Sequence, residues 1–94
     1  MVRIPQVSDL KTAIEIFYSH IELRNKDITK LFGKVGNAKI AAMKKNVHDK
    51  MREDNVVSWD ASAVNTRVAF QVWGLDIKDL EERYKKLQEL NLHS

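Results

Sequence analysis

The chain has 94 residues, no cysteine and a formal net charge of +3. That length suits a single domain, 1–94, and the lack of cysteine excludes a disulfide framework, thiolate chemistry and a zinc–cysteine site. No apolar run approaches the roughly 18 residues of a membrane span, and MVRIPQVSDLK lacks the basic-then-apolar pattern of a signal peptide, so a cytoplasmic protein with no membrane partner is expected.

Pro5 suits an extended lead-in. Ser8 is a candidate N-cap, with Asp9 in the first turn where the helix dipole favours an anion. Leu10, Ala13, Ile14, Phe17 and Ile21 then recur at helical spacing, predicting a first helix from about Asp9 to Leu23. Asn25 is a second N-cap candidate. Ile28, Leu31 and Phe32 give the short second helix, about Lys26 to Phe32, its apolar face, and Gly33 can adopt the positive φ that stops it.

After the turn Gly33-Lys34-Val35-Gly36, Asn37 can cap the third helix. Its apolar stripe is Ile40, Met43, Val47 and Met51. Ala38, Ala42, Lys45 and Asp49 lie opposite that stripe, and Lys39 and Asn46 flank it. Asn55 to Trp59 reads as a loop or one short strand. Asp60 is the next cap candidate, for a helix from about Ala61 to Trp73. That helix places Val64, Val68 and Val72 on one side and Phe70 and Trp73 on the other, as a central helix would. Gly74 suits the position after a helix end, with Leu75 following. Asp76 caps a fifth helix, about Ile77 to Asn91, with Ile77, Leu80, Tyr84 and Leu87 on one face. Glu81/Lys85 and Glu82/Lys86 are favourably ordered i,i+4 pairs. The expected fold is all-α, a bundle of about five helices. Its core candidates are Phe17, Leu31, Ile40, Val47, Val68 and Trp73.

Charge is unevenly placed. Arg24 to Arg52 holds nine Lys or Arg and only Asp27 and Asp49, a net +7, whereas Glu53 onward is −3. Basic charge concentrated on one helical pair is the footprint of a nucleic-acid reader.

The second helix, turn and third helix, about Asn25 to Met51, resemble the helix-turn-helix superfamily of DNA-binding domains. Ile28 and Leu31 match the first helix, Gly33 opens the turn, and Val35, Ile40 and Met43 anchor the second helix of the motif. Thr29 stands where many members carry Ala, and the turn is one residue longer than the tightest form. The resemblance implies that the first helix braces a recognition helix whose start enters the major groove of double-stranded DNA. By position it places Lys34, Asn37, Ala38, Lys39, Ala42, Lys45 and Asn46 at DNA. The alanines would allow close approach, and Lys and Asn side chains suit phosphates, guanine and adenine edges. The stretch WGLDIKDLEERYKKLQEL is similar to tails of small regulatory proteins of phages and bacterial mobile elements. A small transcriptional regulator is therefore the expected function.

Two other readings stand beside it. One is a helical protein-interaction or assembly module whose lysine face is merely solvated. The other follows from Gly33-Lys34-Val35-Gly36, which resembles the GxxG loop of the KH domain, an RNA binder whose fold has three strands. Catalysis is not expected. His20, His48 and His93 are scattered, no phosphate-loop or nucleophile-elbow pattern occurs, and no cofactor is implied. Trp59, Phe70, Trp73 and Tyr84 lie outside the basic segment and are expected to pack in the core rather than stack on bases. The spacing of Ile77, Leu80, Tyr84 and Leu87 matches a seam of barely two heptads, which suggests a homodimer but competes with intramolecular packing.

Overall fold

The computed structural model describes residues 4–92. Among them are five helices and one two-stranded sheet: α1 (Leu10–Ser19), β1 (Glu22–Leu23), α2 (Asn25–Phe32), α3 (Asn37–Glu53), β2 (Val64–Asn65), α4 (Thr66–Val72) and α5 (Ile77–Leu92). This is the expected mostly helical class. No helix among the described residues is long and apolar enough to cross a membrane. The expectation for His93 lies outside the described residues.

One continuous core joins every element. It holds Ala13 and Ile16 of α1, Leu23 of β1, Ile28, Leu31 and Phe32 of α2, the four-residue stripe of α3, Val64, Val68, Ala69 and Phe70, then Trp73 and Leu80. The core candidates from the sequence are buried, except that Phe17 is half-buried against Phe70. Trp73 meets Phe32 edge to face at 5.5 Å and points its indole Nε1 at the Met43 carbonyl, 3.4 Å away. It thereby fastens the end of α4 to both α2 and α3.

Helix α1 ends four residues earlier than its periodicity predicts. His20 is extended, and the chain turns into β1. Glu22 pairs with Asn65 and Leu23 with Val64, antiparallel, and the Thr66 amide reaches the Ile21 carbonyl at 3.0 Å. Pairing buries Leu23 and Val64, and that burial outweighs local helical preference. Ile21, counted in the helical stripe, stands 76% exposed. Ser8 is not the cap either. Asp9 holds that position, and the Ser8 amide and hydroxyl instead cover carbonyls at the end of α2, Lys30 and Leu31. The lead-in thus satisfies carbonyls that the end of α2 would leave open.

Helix α2 begins at Asn25 itself. Asp27, in its first turn, accepts the Arg24 amide at 3.0 Å, a fixed anion near the positive helix end. Gly33 closes α2 with φ 81° and ψ −158°, a region open essentially to glycine alone. Helix α3 includes Asn37 as its first residue, with Gly36 at the cap. At its far end Asn55 takes φ 57°, and the Val56 and Asn55 amides return to Met51 and Arg52. This is the paired hydrogen-bond closure that Gly most often supplies and Asn tolerates. Gly74 (φ 71°) and Leu75 close α4 the same way, onto Gln71 and Phe70, as the sequence suggests.

Helix α4 starts later than predicted. Asp60 caps no helix; its Oδ1 accepts the Ser62 amide and hydroxyl in a local turn. Asn65 is the true cap, accepting the Val68 amide at 3.0 Å. Residues 55–59 form a loop. On α5, Asp76 caps as expected through the Lys78 amide, but the ion pair formed is Asp79–Arg83. Glu81, assigned to Lys85, accepts a hydrogen bond from Tyr18 Oη.

Candidate nucleic-acid interface

Helix α3 divides cleanly. Ile40, Met43, Val47 and Met51 are buried, which fixes the helix about its own axis. Its outer side then presents Asn37, Ala38, Lys39, Lys45 and Asn46 to solvent, with Ala42 half-buried and Lys34 exposed in the preceding turn. All seven residues expected at DNA thus lie on or beside one helix, six of them well exposed. Two of the seven also border a groove. Asn37 and Lys45 line an open groove of about 340 Å³ with Asn25, Ala41, Lys44, His48, Arg52, Ala61 and Ser62. Lys34, Ala38, Lys39, Ala42 and Asn46 are not among its lining residues.

The groove has three walls. Helix α3 supplies the basic one. The start of α2 supplies Asn25, whose Oδ1 accepts from Lys44 Nζ at 3.0 Å. The loop 54–63 supplies Ala61 and Ser62. Helix α2 otherwise packs chiefly on α1 and β1, and α3 on α4 and β2. The two helices of the unit thus pack mainly on other elements and meet through the shared core and the Lys44–Asn25 bond, not by the direct bracing that the helix-turn-helix resemblance implies.

Ion pairing thins the basic charge on part of this surface. Asp49 serves both Lys45 (3.4 Å) and Arg52 (2.7 Å), Lys50 pairs with Asp54, and Arg24 reaches Asp60 at 3.5 Å. Lys26, Lys30, Lys34 and Lys39 make no ion pair among the described residues. They are exposed cations with no structural task, running from α2 through the turn into the first turn of α3. The first amides of α3 are also uncapped by any side chain, since Gly36 holds the cap position. Uncapped amides at the positive end of a helix suit an anion.

The loop 54–63 is anchored from several sides. Ser58 Oγ lies within hydrogen-bonding reach of Glu22 Oε2, the Asp60 carbonyl (2.6 Å) and the Ala63 carbonyl (3.2 Å). The Trp59 amide donates to the same Glu22 carboxylate at 2.9 Å. The Asp60 carboxyl sits below its ordinary range, first because the Ser62 amide and then its hydroxyl donate to it, with smaller help from Arg24 and Lys44. Trp59, expected in the core, is instead 92% exposed, and Val57 is 88% exposed. The cause is local. Ser58 and Asp60, on either side of Trp59, are tied at the surface to Glu22, Arg24 and Ser62, and this holds the segment that bears the indole outside the core. Phe70 and Trp73 are buried and Tyr84 half-buried, in keeping with the expected core role.

The KH resemblance implies three strands. The described residues contain two, of two residues each. Comparison with known proteins adds no relative: no family model, curated protein or solved structure matches the chain.

Proposed function

We propose that this chain binds double-stranded DNA through the α2–turn–α3 unit and acts as a small regulator of the transcriptional, phage or mobile-element kind. The observation that supports it is the solvent face of α3. A helix locked by a four-residue buried stripe exposes Asn37, Ala38, Lys39, Lys45 and Asn46, with Lys34 in the adjoining turn. Small residues beside amide and ammonium groups fit close approach to base edges and phosphates. Lys26, Lys30, Lys34 and Lys39 extend the cationic track and would each displace a counterion on contact with phosphate.

Fluorescence anisotropy of random and mixed-sequence duplexes across a salt series tests this reading. Log affinity is expected to fall linearly with log salt. Lys34→Ala and Lys39→Ala should each lower that slope by roughly one. Wild-type protein that binds no duplex at low salt would sink the proposal, and unchanged slopes in the variants would move the contact off α3.

Dimerisation through α5 belongs to the same proposal in a reduced form. Leu80 is buried in the chain's own core, and α5 packs on α1. Only the outer part of the seam, Leu87 with Leu90 nearby, is left for a second copy.

A further inference from the structure

We propose that the Val57–Trp59 tip is a second, apolar contact with the same DNA duplex, lying against sugar and base edges beside the stretch engaged by α3. This rests on the DNA-binding reading above. The tip carries the two most exposed large apolar residues of the described chain. A solvated indole and isopropyl group give the fold nothing by burial. Yet the loop is not slack, because Ser58, the Trp59 amide and Asp60 are all held by the contacts that tie the loop to Glu22 and Arg24. A rigid mount that presents an indole outward is pre-organised for a partner, and little ordering entropy remains to be lost on contact.

The surroundings indicate which partner. A shallow depression lined by His48, Arg52, Ser58 and Ala61 adjoins the basic groove, sharing His48, Arg52 and Ala61 with it. Ser58 in turn borders the small apolar recess of Val57 and Trp59. The linings overlap in series, from Asn37 and Lys45 of the groove, through His48, Arg52 and Ala61, to Ser58 beside the indole. A ligand spanning them needs anionic groups at one end and a flat, weakly polar surface at the other. Duplex DNA supplies both side by side, phosphates on the ridge and sugar–base edges in the minor groove, where apolar side chains act as wedges. The indole N–H adds a donor suited to the acceptors on that groove floor.

Trp59 itself reports the outcome. In the free protein acrylamide should quench its emission readily, whereas Trp73 is buried. Saturating random duplex is expected to remove most of that quenching. Trp59→Ala, at an exposed site, should fold as the parent does and weaken duplex binding roughly ten-fold, as loss of an interface Trp typically does. Its salt slope should stay that of the parent, because indole neutralises no phosphate. That separates it from Lys39→Ala, which lowers the slope. Duplex binding with Trp59 still fully quenchable, or with parental affinity in Trp59→Ala, would overturn this inference and leave the DNA reading standing. Absence of duplex binding by the wild type would remove both. Protection of Trp59 at high protein concentration without DNA would assign the tip to a second copy instead.

Discussion

His48 Nε2 lies 2.8 Å from the carbonyl oxygen of Ala63, an atom that can only accept, so this ring nitrogen carries the proton. The bond crosses from the middle of α3 to the end of the loop 54–63, just before β2. It sets the distance between the basic wall of the groove and the wall formed by Ala61 and Ser62. His48→Ala should cost about 1 kcal/mol of stability, the usual net worth of one such bond. It should also speed amide exchange in the loop more than in α1. Parental denaturant midpoints with unchanged loop exchange would show that the bond positions nothing.

Trp73 gives the steepest stability forecast. It is buried, stacked edge to face on Phe32 and aimed at the Met43 carbonyl. Removing a buried Trp side chain typically costs about 3–5 kcal/mol, against a total of about 5–15 kcal/mol for a domain. Trp73→Ala should therefore melt far below the parent by circular dichroism, by roughly 10–40 °C. A cooperative melt close to the parent's would mean that α4 is not central.

The contrast between the two tryptophans shows what the sequence could carry. Trp73 belongs to a helical apolar pattern closed by Gly74, and its burial follows from that pattern. Trp59 has Ser58 and Asp60 as neighbours, and although Val56 and Ala63 stand at helical spacing from it, no helix forms there. Asn55 to Trp59 reads as a loop or a short strand, and the place of Trp59 outside the basic segment is what suggests the core. The stripe of α3 was legible because four apolar residues at 3.6 periodicity have one solution. The β1–β2 pair was not, since two-residue strands have no period and their pairing joins segments far apart in the chain. Both misplaced helix limits, Leu23 for α1 and Ala61 for α4, come from that one missed pair. The lysines and asparagines of α3 were likewise legible. The groove was not, because Asn25, Ala61 and Ser62 reach it from two other segments.

Asp49 offers a gain-of-function test. It is the acid shared by Lys45 and Arg52 on the outer side of α3. The one negative charge there offsets half of the charge on the two cations and repels phosphate. Asp49→Asn should tighten duplex binding several-fold at low salt and steepen the salt dependence by roughly one. Exposed pairs of this kind contribute little to stability, so the melting temperature should barely move. Weaker binding by Asp49→Asn would place the DNA away from this face.

Tyr18 gives a pH signature for the α1–α5 contact. Its phenol donates to Glu81, and that bond, then burial, then the Glu81 charge raise its pKa above the ordinary value. A raised folded-state pKa favours the protonated phenol. Its contribution is thus complete below the ordinary tyrosine range, about pH 10, and is lost as pH climbs through the raised value. The difference in melting temperature between wild type and Tyr18→Phe should accordingly be constant near neutrality and shrink in strong alkali. A difference that grows with pH would contradict the donor role of Tyr18.

The seam on α5 is split by the fold, and two substitutions separate its halves. Leu80 is buried against the body of the protein, while Leu87 is 47% exposed and Leu90 is 67% exposed. Tyr84 lies between them, half-buried. Leu80→Asp places an unpaired carboxylate in the core and should unfold the chain, whatever its oligomeric state. Leu87→Asp should lower the monomer's melt far less than Leu80→Asp, because about half of the Leu87 surface already faces solvent. If two copies meet through the outer turns of α5, Leu87→Asp should shift sedimentation equilibrium from dimer to monomer. It should also weaken binding to paired half-sites far more than to a single half-site. A wild type that sediments as a monomer both free and on DNA would rule out this dimer. Unfolding of Leu87→Asp would instead mean that the outer turns of α5 pack on the body more closely than their exposure indicates.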